Sequence, residues 1–253
     1  MSATSKNCSL LFVHGWATDS SVWKYQVKEF SKDYEIVTID LQGHCEKDIW
    51  PEPSLKPAVE KILQLTAHSS QRTDFIGIGW SLGGQALLET AVKNPDLFKS
   101  LVLIGTAPKF VADETFPYGQ PQGVAKRMLK DIKKDFFKTM KRFYPLNFTK
   151  EELAGSDAEW FLGYYCEKRC AAFHHDSIAK SLGALLSFDI RKNLNGIKVP
   201  VLIIHGEKDN VCPVDTGKYL AENLPNARLE IFQSAGHAPF LTRYKEFNKA
   251  VQR

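Results

Sequence analysis

Three residues that lie far apart in the chain have the side-chain types of a serine-based nucleophilic site. Ser81 lies in the stretch GWSLGG, Asp209 in HGEKDNVCP and His237 in SAGHAPF. A serine hydroxyl is a weak nucleophile until a base removes its proton, and a histidine that a carboxylate orients is such a base. If folding brings the three residues together, their chemistry is attack on an acyl carbon through an acyl-enzyme intermediate.

The neighbours of Ser81 favour a nucleophile over a small residue in a tight turn. Residues 79–83 fit the pattern G-x-S-x-G, with the strand-like stretch DFIGI before them and the helix-like stretch LLETAVK after them. Between a strand and a helix, such a serine is forced to the tip of a sharp turn with its oxygen exposed. The flanking glycines allow the strand and the helix to approach closely. We therefore predict that Ser81 is the nucleophile.

The acid and the base each have competing candidates. Glu207 lies two residues nearer the preceding strand than Asp209. We prefer Asp209 because the acid usually lies on the loop several residues beyond the strand. For the base we prefer His237, which lies on a loop between the last strand and the final helix. The weaker candidates for the base are His14, His44 and His205.

Two backbone N–H groups are candidates for binding the oxyanion. One belongs to Leu82, which follows the nucleophile and starts a helix. The other belongs to Trp16, in the loop HGWATDSSVW after the first strand, and its indole would form a wall of the acyl pocket. Loss of one such donor typically costs about 3 kcal/mol of transition-state stabilisation.

The elements that must position these residues alternate along the chain. Short apolar stretches predict strands over 10–13, 35–40, 74–78, 100–104, 201–205 and 228–232. Helical patterns lie between or after them over 21–31, 55–68, 82–93, 213–223 and 240–252. This alternation predicts an α/β fold, with a mostly parallel sheet of about six strands flanked by helices. Ser81, Asp209 and His237 each follow a strand, so we expect them at one edge of the sheet.

Residues 108–189 interrupt the alternation, because they contain helical patterns and a turn-rich piece but no convincing strand. We expect an inserted helical cap (lid) over a core formed by residues 1–107 and 190–253. Within the cap, residues 126–142 contain eight basic and two acidic side chains, a local net charge of +6 that exceeds the +4 of the whole chain. Apolar residues recur there at helical spacing, which predicts one buried and one positive face. A positive face of this kind is either a solvated surface or a dock that steers an acidic partner.

The composition excludes several other classes of protein. No apolar run approaches the roughly 18 residues that span a bilayer. The apolar stretch 10–13 is also too short for a signal-peptide core. The five cysteines are few and odd in number, which favours a reducing compartment over a disulfide framework. We therefore expect a cytoplasmic protein without membrane contact, and a monomer.

A metal site is the weaker interpretation of one cluster of side chains. Residues in such an amphipathic segment more often serve packing or the surface than a metal. We therefore predict no metal, and the serine chemistry requires no organic cofactor. The side chains concerned are Cys166, Cys170, His174 and His175.

The motifs FVHGW, GWSLGG, HGEKD and AGHAPF together resemble those of the α/β-hydrolase superfamily over nearly the whole chain. More narrowly, GWSLGG, HAPF and the cap stretch FKTMKRF resemble the carboxylesterases of biotin synthesis, which hydrolyse the methyl ester of pimeloyl-acyl carrier protein. This resemblance implies a serine carboxylesterase with a Ser-His-Asp triad. It also implies a transient partner, an acidic acyl carrier protein that delivers the pimeloyl methyl ester.

The same resemblance implies roles for residues of the cap. By match to the family, Lys138 and Arg142 contact the carrier protein and Phe143 lines the acyl channel. Arg127 and Lys134 extend the same basic surface. Further candidates for carrier contacts in the second half of the cap are Lys168 and Arg169. A basic helix also suits nucleic acid, but a catalytic triad beneath it argues against that partner.

The resemblance has two departures. The loop DLQGHCEK has Cys45 and Lys47 where the family's turn has glycine and serine, and the second half of the cap matches the biotin enzymes poorly. Two other hypotheses therefore stay open. One is a broad carboxylesterase or thioesterase for short acyl esters, with an incidental basic cap. The other is a non-catalytic ligand receptor with a hydrolase fold.

Overall fold

The computed structural model describes residues 8–44, 49–67 and 74–253, so Cys45 and Lys47 lie outside the described residues. Within this part of the chain, six strands form one parallel sheet in the order second, first, third, fourth, fifth and sixth. The strands are β1 Cys8–Val13, β2 Glu35–Ile39, β3 Asp74–Trp80, β4 Phe98–Ile104, β5 Val201–Gly206 and β6 Ala227–Phe232. The predicted fold class and all six predicted strands are confirmed.

Helices follow most of the strands and cover the sheet. In chain order they are α1 Lys24–Phe30, α2 Lys56–Ala67, α3 Leu82–Lys93, α4 Gln122–Lys134, α5 Phe136–Phe143, α6 Ser156–Leu162, α7 His175–Ser187, α8 Val214–Asn223, α9 Pro239–Thr242 and α10 Tyr244–Val251. The pattern over 240–252 predicted one helix, but the backbone at Arg243 has φ −127° and ψ 40°, which separates α9 from α10. Among the described residues, no helix has the length and apolar character needed to cross a membrane.

The strand register brings the carboxyl ends of the strands to one edge of the sheet. Val13 lies beside Gly79, and Ile104 lies beside Trp80 and Ile204. The inner strands are buried on both faces, which explains why β1 and β4 are almost continuously apolar. The loops that follow β1, β3, β5 and β6 carry the candidate site residues and therefore all leave the sheet at this edge.

The segment between β4 and β5 leaves the sheet and returns to it at a paired junction. Lys109 and Asp189 form an antiparallel bridge, and the N–H of Ile190 donates to the carbonyl of Pro108 at 3.0 Å. Between these points lie α4 to α7, short 3-10 turns and a seven-residue π-helix over Gly163–Arg169. We refer to residues 108–189 as the insertion.

The basic stretch of the insertion consists of two helices rather than one amphipathic segment. The helices α4 and α5 are separated at Asp135, whose backbone is extended and whose side chain accepts a 3.0 Å hydrogen bond from the N–H of Lys138. An aspartate at this N-cap position satisfies a free donor of the second helix. Ile132 of α4 and Met140 of α5 are buried beneath the stretch.

Candidate active site

Ser81 occupies a sharp turn between the last residue of β3 and the first residue of α3. Its backbone has φ 53° and ψ −112°, in a region that non-glycine residues rarely adopt and that is often found at functional sites. A hydrogen bond of 2.8 Å from the Ser81 N–H to the carbonyl of Ile104 fixes the turn to β4. A Cβ atom at Gly83 would lie 2.3 Å from the carbonyl oxygen of Val13, so close packing of α3 against β1 requires this glycine.

Asp209 and His237 form a buried pair. Oδ2 of Asp209 lies 2.6 Å from Nδ1 of His237, which must be the donor because an ionised carboxylate only accepts. Oδ1 of Asp209 accepts the N–H groups of Val211 and Cys212, at 2.8 and 2.7 Å. Burial alone would raise the pKa of Asp209, but the charge of His237 and the hydrogen bonds from the histidines hold it well below its usual range.

The competing acid has a different partner. Oε2 of Glu207 accepts a 2.8 Å hydrogen bond from the N–H of Ser234, which steadies the loop after β6. The arrangement therefore brings together the preferred residues of the sequence analysis, Asp209 and His237. The role of Asp209 as the orienting acid nevertheless stays a prediction.

Ser81 and His237 both line one narrow, largely apolar cavity. Trp16 and Phe143 form part of the wall, and their rings meet edge to face with centroids 4.9 Å apart. The indole Nε1 of Trp16 donates to the carbonyl of Ile178 at 3.0 Å, which ties the wall to α7 of the insertion. Further apolar lining from the insertion comes from Phe110, Met128, Leu182 and Leu185.

The two predicted oxyanion donors follow neighbouring strands. Leu82 is the first residue of α3, where the backbone N–H has no acceptor within the helix and the helix dipole favours negative charge. Trp16 lies in the loop after β1, which His14 holds in place. Nε2 of His14 accepts the N–H of Leu41 at 2.9 Å, and Nδ1 lies 2.8 Å from the carbonyl of Gly15. Burial lowers the pKa of His14, which suits this structural role.

His205, a weaker candidate for the base by its sequence position, contacts Asp209, the predicted acid. Its Nε2 donates to the carbonyl of Cys212 at 2.7 Å and lies 3.4 Å from Oδ2 of Asp209. Burial alone would lower the pKa of His205, but its hydrogen bonds to Asp209 and Cys212 raise it to about 10. The sequence signal for this contact was the position of His205 at a strand end, four residues before Asp209. His44 differs, since burial lowers its pKa to about 3.

Gly105 is a site residue that sequence reasoning missed. It follows β4 with φ +50°, and a Cβ atom there would lie 2.7 Å from Nδ1 of His237 and 3.2 Å from Oδ2 of Asp209. The chain at this point therefore passes directly beside the Asp209–His237 pair. A glycine immediately after an apolar strand, in the sequence LIGTAP, was the available signal.

The predicted docking residues lie on the surface of α4 and α5, and they differ in their ion pairs. Arg142 contacts Asp131 at 2.9 Å, and Arg127 approaches the same carboxylate at 3.8 Å. Within the described residues, no ion pair joins Lys134 or Lys138 to a carboxylate. The amines of these two lysines are therefore more available to a partner than the guanidinium groups of Arg127 and Arg142.

Arg169, predicted as a further surface contact, is half-buried and paired with an acidic side chain of the core. Its Nε donates to Oδ2 of Asp19, in the loop between β1 and α1, and Asp19 also accepts the hydroxyl of Tyr165 at 2.8 Å. Lys168 next to it is exposed. Arg169 is held in this position because Asp19 is buried, and a buried carboxylate requires a positive partner.

The four side chains considered for a metal serve other contacts. His174 caps α7 through Nδ1, and the ring of His175 stacks on Phe136 at 3.8 Å. Burial raises the pKa of the Cys170 thiol to about 12 and also raises that of Cys166. Across residues 8–44, 49–67 and 74–253, no group of three His, Cys, Asp or Glu side chains is arranged to hold a metal ion.

The family described as alpha/beta hydrolase fold matches residues 9–244, which is most of the chain. This chain belongs to the α/β-hydrolase family. Among similar proteins are two named pimeloyl-[acyl-carrier protein] methyl ester esterase, from Nitrosomonas europaea and Chromobacterium violaceum, each 29% identical over 96% of this chain. The matches cover 94% and 92% of those relatives, respectively. The resemblance predicted from the motifs is confirmed.

Solved structures agree with the membership of the α/β-hydrolase family. An esterase from Exiguobacterium antarcticum has a TM-score of 0.85 and 25% identity, with 96% of this chain and 90% of that chain covered. A bromoperoxidase from Bacillus anthracis has a TM-score of 0.86 and 23% identity, with 97% and 91% covered. At 23% identity, the similarity to the bromoperoxidase shows the fold alone.

Proposed function

We propose that this α/β-hydrolase is a serine carboxylesterase of biotin synthesis that hydrolyses the methyl ester of pimeloyl-acyl carrier protein. The products are methanol and pimeloyl-acyl carrier protein with a free terminal carboxylate. The observation that carries the proposal is the buried Asp209–His237 pair, whose histidine lines one apolar cavity together with Ser81. The names of the relatives from Nitrosomonas europaea and Chromobacterium violaceum supply the substrate.

The proposed mechanism uses only groups of this chain. His237 removes the proton of the Ser81 hydroxyl as its oxygen attacks the ester carbonyl, and Asp209 stabilises the imidazolium that forms. The N–H groups of Leu82 and Trp16 hold the oxyanion of the tetrahedral intermediate. His237 then gives its proton to the departing methanol, which leaves an acyl-enzyme on Ser81. A water molecule then attacks the acyl carbon as His237 takes its proton. The bond between the acyl carbon and the Ser81 oxygen breaks, and His237 returns the proton to that oxygen, which releases the acid and regenerates the serine.

The chemistry of the cavity suits an ester better than its product. Its lining is largely apolar, with Trp16, Phe143 and Leu182 among the side chains. A neutral methyl ester and a methylene chain lose little on leaving water for such a site. A carboxylate loses its hydration without gaining charged partners, which is costly. The product is therefore expelled, and esters are favoured over the corresponding free diacids.

We further propose that the insertion acts as a cap and docks the carrier protein. It contributes Met128 and Phe143 to the cavity, and its outer surface carries the basic side chains of α4 and α5. Lys134 and Lys138 supply cations that no carboxylate among the described residues pairs with, while Arg142 and Arg127 share Asp131. Long-range attraction between this surface and an acidic carrier accelerates their encounter and weakens with salt. The enzyme acts as a cytoplasmic monomer with the carrier as a transient partner.

The decisive experiment is steady-state hydrolysis of pimeloyl-acyl carrier protein methyl ester at low and high salt, beside p-nitrophenyl butyrate. We expect rapid carrier-ester cleavage that salt suppresses, a loss of kcat/KM in Lys138→Ala, and no change in Lys249→Ala, a basic residue of α10. Fast butyrate cleavage with the carrier ester untouched would instead support a broad esterase.

Wild-type turnover by Ser81→Ala would overturn the mechanism. Failure of Ser81 to react with a fluorophosphonate, together with no turnover, would favour a ligand receptor.

A further inference from the structure

The loop that carries His237 is held by the insertion as well as by the sheet. The N–H of His237 donates to the carbonyl of Asn147 at 2.8 Å, and the N–H of Gly236 donates to Oε2 of Glu152 at 2.9 Å. Both acceptors lie in the short turns after α5. On the other side of the loop, the indole Nε1 of Trp80 donates to the carbonyl of His237 at 2.9 Å. The backbone on both sides of the histidine is thus fixed.

Glu152 belongs to a local motif that would by itself explain why a glutamate stands at this position. Its Oε2 accepts the N–H of Thr149 at 2.8 Å, while its own N–H donates to Oγ1 of Thr149 at 3.2 Å. This reciprocal pair is a capping box, which satisfies free donors at the start of a helical turn. A capping box requires no contact outside its own turn.

The carboxylate of Glu152 nevertheless has two further partners, one in the loop that carries His237 and one in α9, which follows this loop. Besides the N–H of Gly236, it accepts the hydroxyl of Thr242 through Oε1 at 2.6 Å. One side chain of the insertion therefore binds the residue before the base and the end of α9, which follows the base. These contacts lie on both sides of His237 in the sequence.

The packing at Gly236 shows how closely the loop follows this carboxylate. A Cβ atom at Gly236 would lie 2.8 Å from Oε2 of Glu152 and 2.7 Å from the carbonyl oxygen of Asn147. Any larger residue would push the loop away from the insertion. The glycine in the sequence SAGHAPF is therefore explained by contact with the insertion.

We propose that Glu152 is a positioning residue for the base, which sets the distance of His237 from Ser81 and Asp209 by holding the N–H of Gly236. This inference rests on the proposed function, in which His237 transfers the protons. A displacement of about 1 Å in a reacting group costs on the order of 100-fold in rate. Loss of the Glu152 carboxylate therefore affects chemistry more than binding of the substrate.

The test compares four variants by kcat and KM for p-nitrophenyl butyrate and by the downfield proton resonance of the hydrogen bond between His237 and Asp209. Glu152→Ala removes all three acceptor contacts. Glu152→Gln keeps an acceptor for both N–H groups, and its amide can donate to the hydroxyl of Thr242. Thr149→Ala breaks the capping box but leaves the carboxylate. Glu151→Ala removes the exposed neighbouring carboxylate and serves as the matched control.

We expect Glu152→Ala to lose about 10- to 100-fold in kcat with little change in KM, and to shift or broaden the resonance. Glu152→Gln should recover to within about threefold of the wild type, since a neutral acceptor still holds the loop. Thr149→Ala and Glu151→Ala should keep the wild-type kcat and resonance. Should Glu152→Ala fail to fold, Thr242→Val removes the outer anchor of the carboxylate, and we expect a smaller loss of kcat with the same unchanged KM.

Equal losses in Thr149→Ala and Glu152→Ala would overturn the proposal, because they would assign Glu152 to the capping box alone. A wild-type kcat and resonance in Glu152→Ala, or in Thr242→Val where it is used, would overturn it as well. Failure of the proposed function is distinguishable. In that case the wild-type protein hydrolyses no ester, while the resonance still reports whether Glu152 positions His237.

Discussion

Asp209 and His237, which are 28 residues apart in the sequence, meet through a hydrogen bond of 2.6 Å at the edge of the sheet. The carboxylate has no freedom to turn away, because its other oxygen accepts the N–H groups of Val211 and Cys212. With Oδ1 fixed, Oδ2 is directed at Nδ1 of the histidine. This places the other ring nitrogen, Nε2, as the atom available to exchange a proton with Ser81.

The first prediction concerns Asp209→Asn. An amide keeps the volume of the side chain but favours the wrong tautomer of His237, and in a serine protease with such a triad the same change lowers kcat by about 10⁴-fold. We expect a loss of this order in ester hydrolysis. Glu207→Gln, which alters the competing acid, should stay within about tenfold of the wild type, because Glu207 contacts Ser234 instead. Steady-state kinetics of both variants decides which carboxylate orients the base.

The second prediction tests the backbone beside the pair. In Gly105→Ala the added Cβ would lie 2.7 Å from Nδ1 of His237, at a residue whose φ is also positive. We expect kcat to fall by about 100-fold or more through displacement of the histidine. Gly123→Ala in α4 is the matched control, because a Cβ there meets no atom within 4 Å. It should keep kcat, and higher helix propensity should stabilise it by up to about 1 kcal/mol. A fully active Gly105→Ala would contradict the assigned position of the base.

The third prediction concerns the ion pair that joins the insertion to the loop carrying Trp16. Burial would raise the pKa of Asp19, but hydrogen bonds from Ser21 and Tyr165 outweigh it and lower the pKa. Because folded Asp19 binds protons less readily than unfolded Asp19, its contribution is present above about pH 3.9 and is lost as the pH falls below that value. We expect Asp19→Asn to lower the free energy of unfolding by about 1–3 kcal/mol at pH 7.

Urea unfolding at several pH values provides the measurement for Asp19. The difference between wild type and Asp19→Asn should shrink as the pH falls below about 4, because the carboxylate of the unfolded chain then binds a proton while that of the folded protein is still ionised. The exposed Asp96 supplies the control, since Asp96→Asn should match the wild type throughout. A difference for Asp19→Asn that does not depend on pH would show that the ionised carboxylate contributes nothing.

Much of the fold could be predicted from the sequence, because its signals are local. Buried parallel strands are short runs of apolar residues, so all six were recognised, and their ends differ from the predicted ones by at most two residues. The order of the elements then places Asp209 and His237 at the same edge of the sheet. The pairing of these two side chains follows from topology without any knowledge of their contacts.

The interior of the insertion could not be predicted in the same way. The break at Asp135 had a local signal, an aspartate followed by a helical pattern, but the continuous spacing of apolar residues concealed it. The contact between Arg169 and Asp19 joins residues 150 positions apart, and no local pattern indicates it. Glu152 combines a predictable contact with an unpredictable one. Its capping box can be recognised in the sequence TKEE, but no local pattern indicates its hydrogen bond with the N–H of Gly236.

The fourth prediction concerns His205, the second histidine near Asp209. Its pKa of about 10 in the folded protein exceeds the unfolded value of about 6.5, because hydrogen bonds to Asp209 and Cys212 outweigh burial. The contribution of His205 to stability is therefore complete below about pH 6.5 and is lost as the pH rises through about 10. His205→Gln keeps an N–H donor near the position of Nε2 but does not titrate, so the wild type should lose its advantage over this variant between pH 7 and 10.

Urea unfolding of the wild type and His205→Gln at pH 7, 8, 9 and 10 measures this difference. The advantage of the wild type should be largest at pH 7 and should narrow steadily toward pH 10. His175→Gln is the control, because partial desolvation of the ring, which stacks on Phe136, lowers the pKa of this surface histidine and leaves it neutral over the whole range. Its curve should run parallel to that of the wild type. If the curve of His205→Gln is also parallel, His205 does not carry the proton, and Asp209 interacts with a single charged histidine during catalysis.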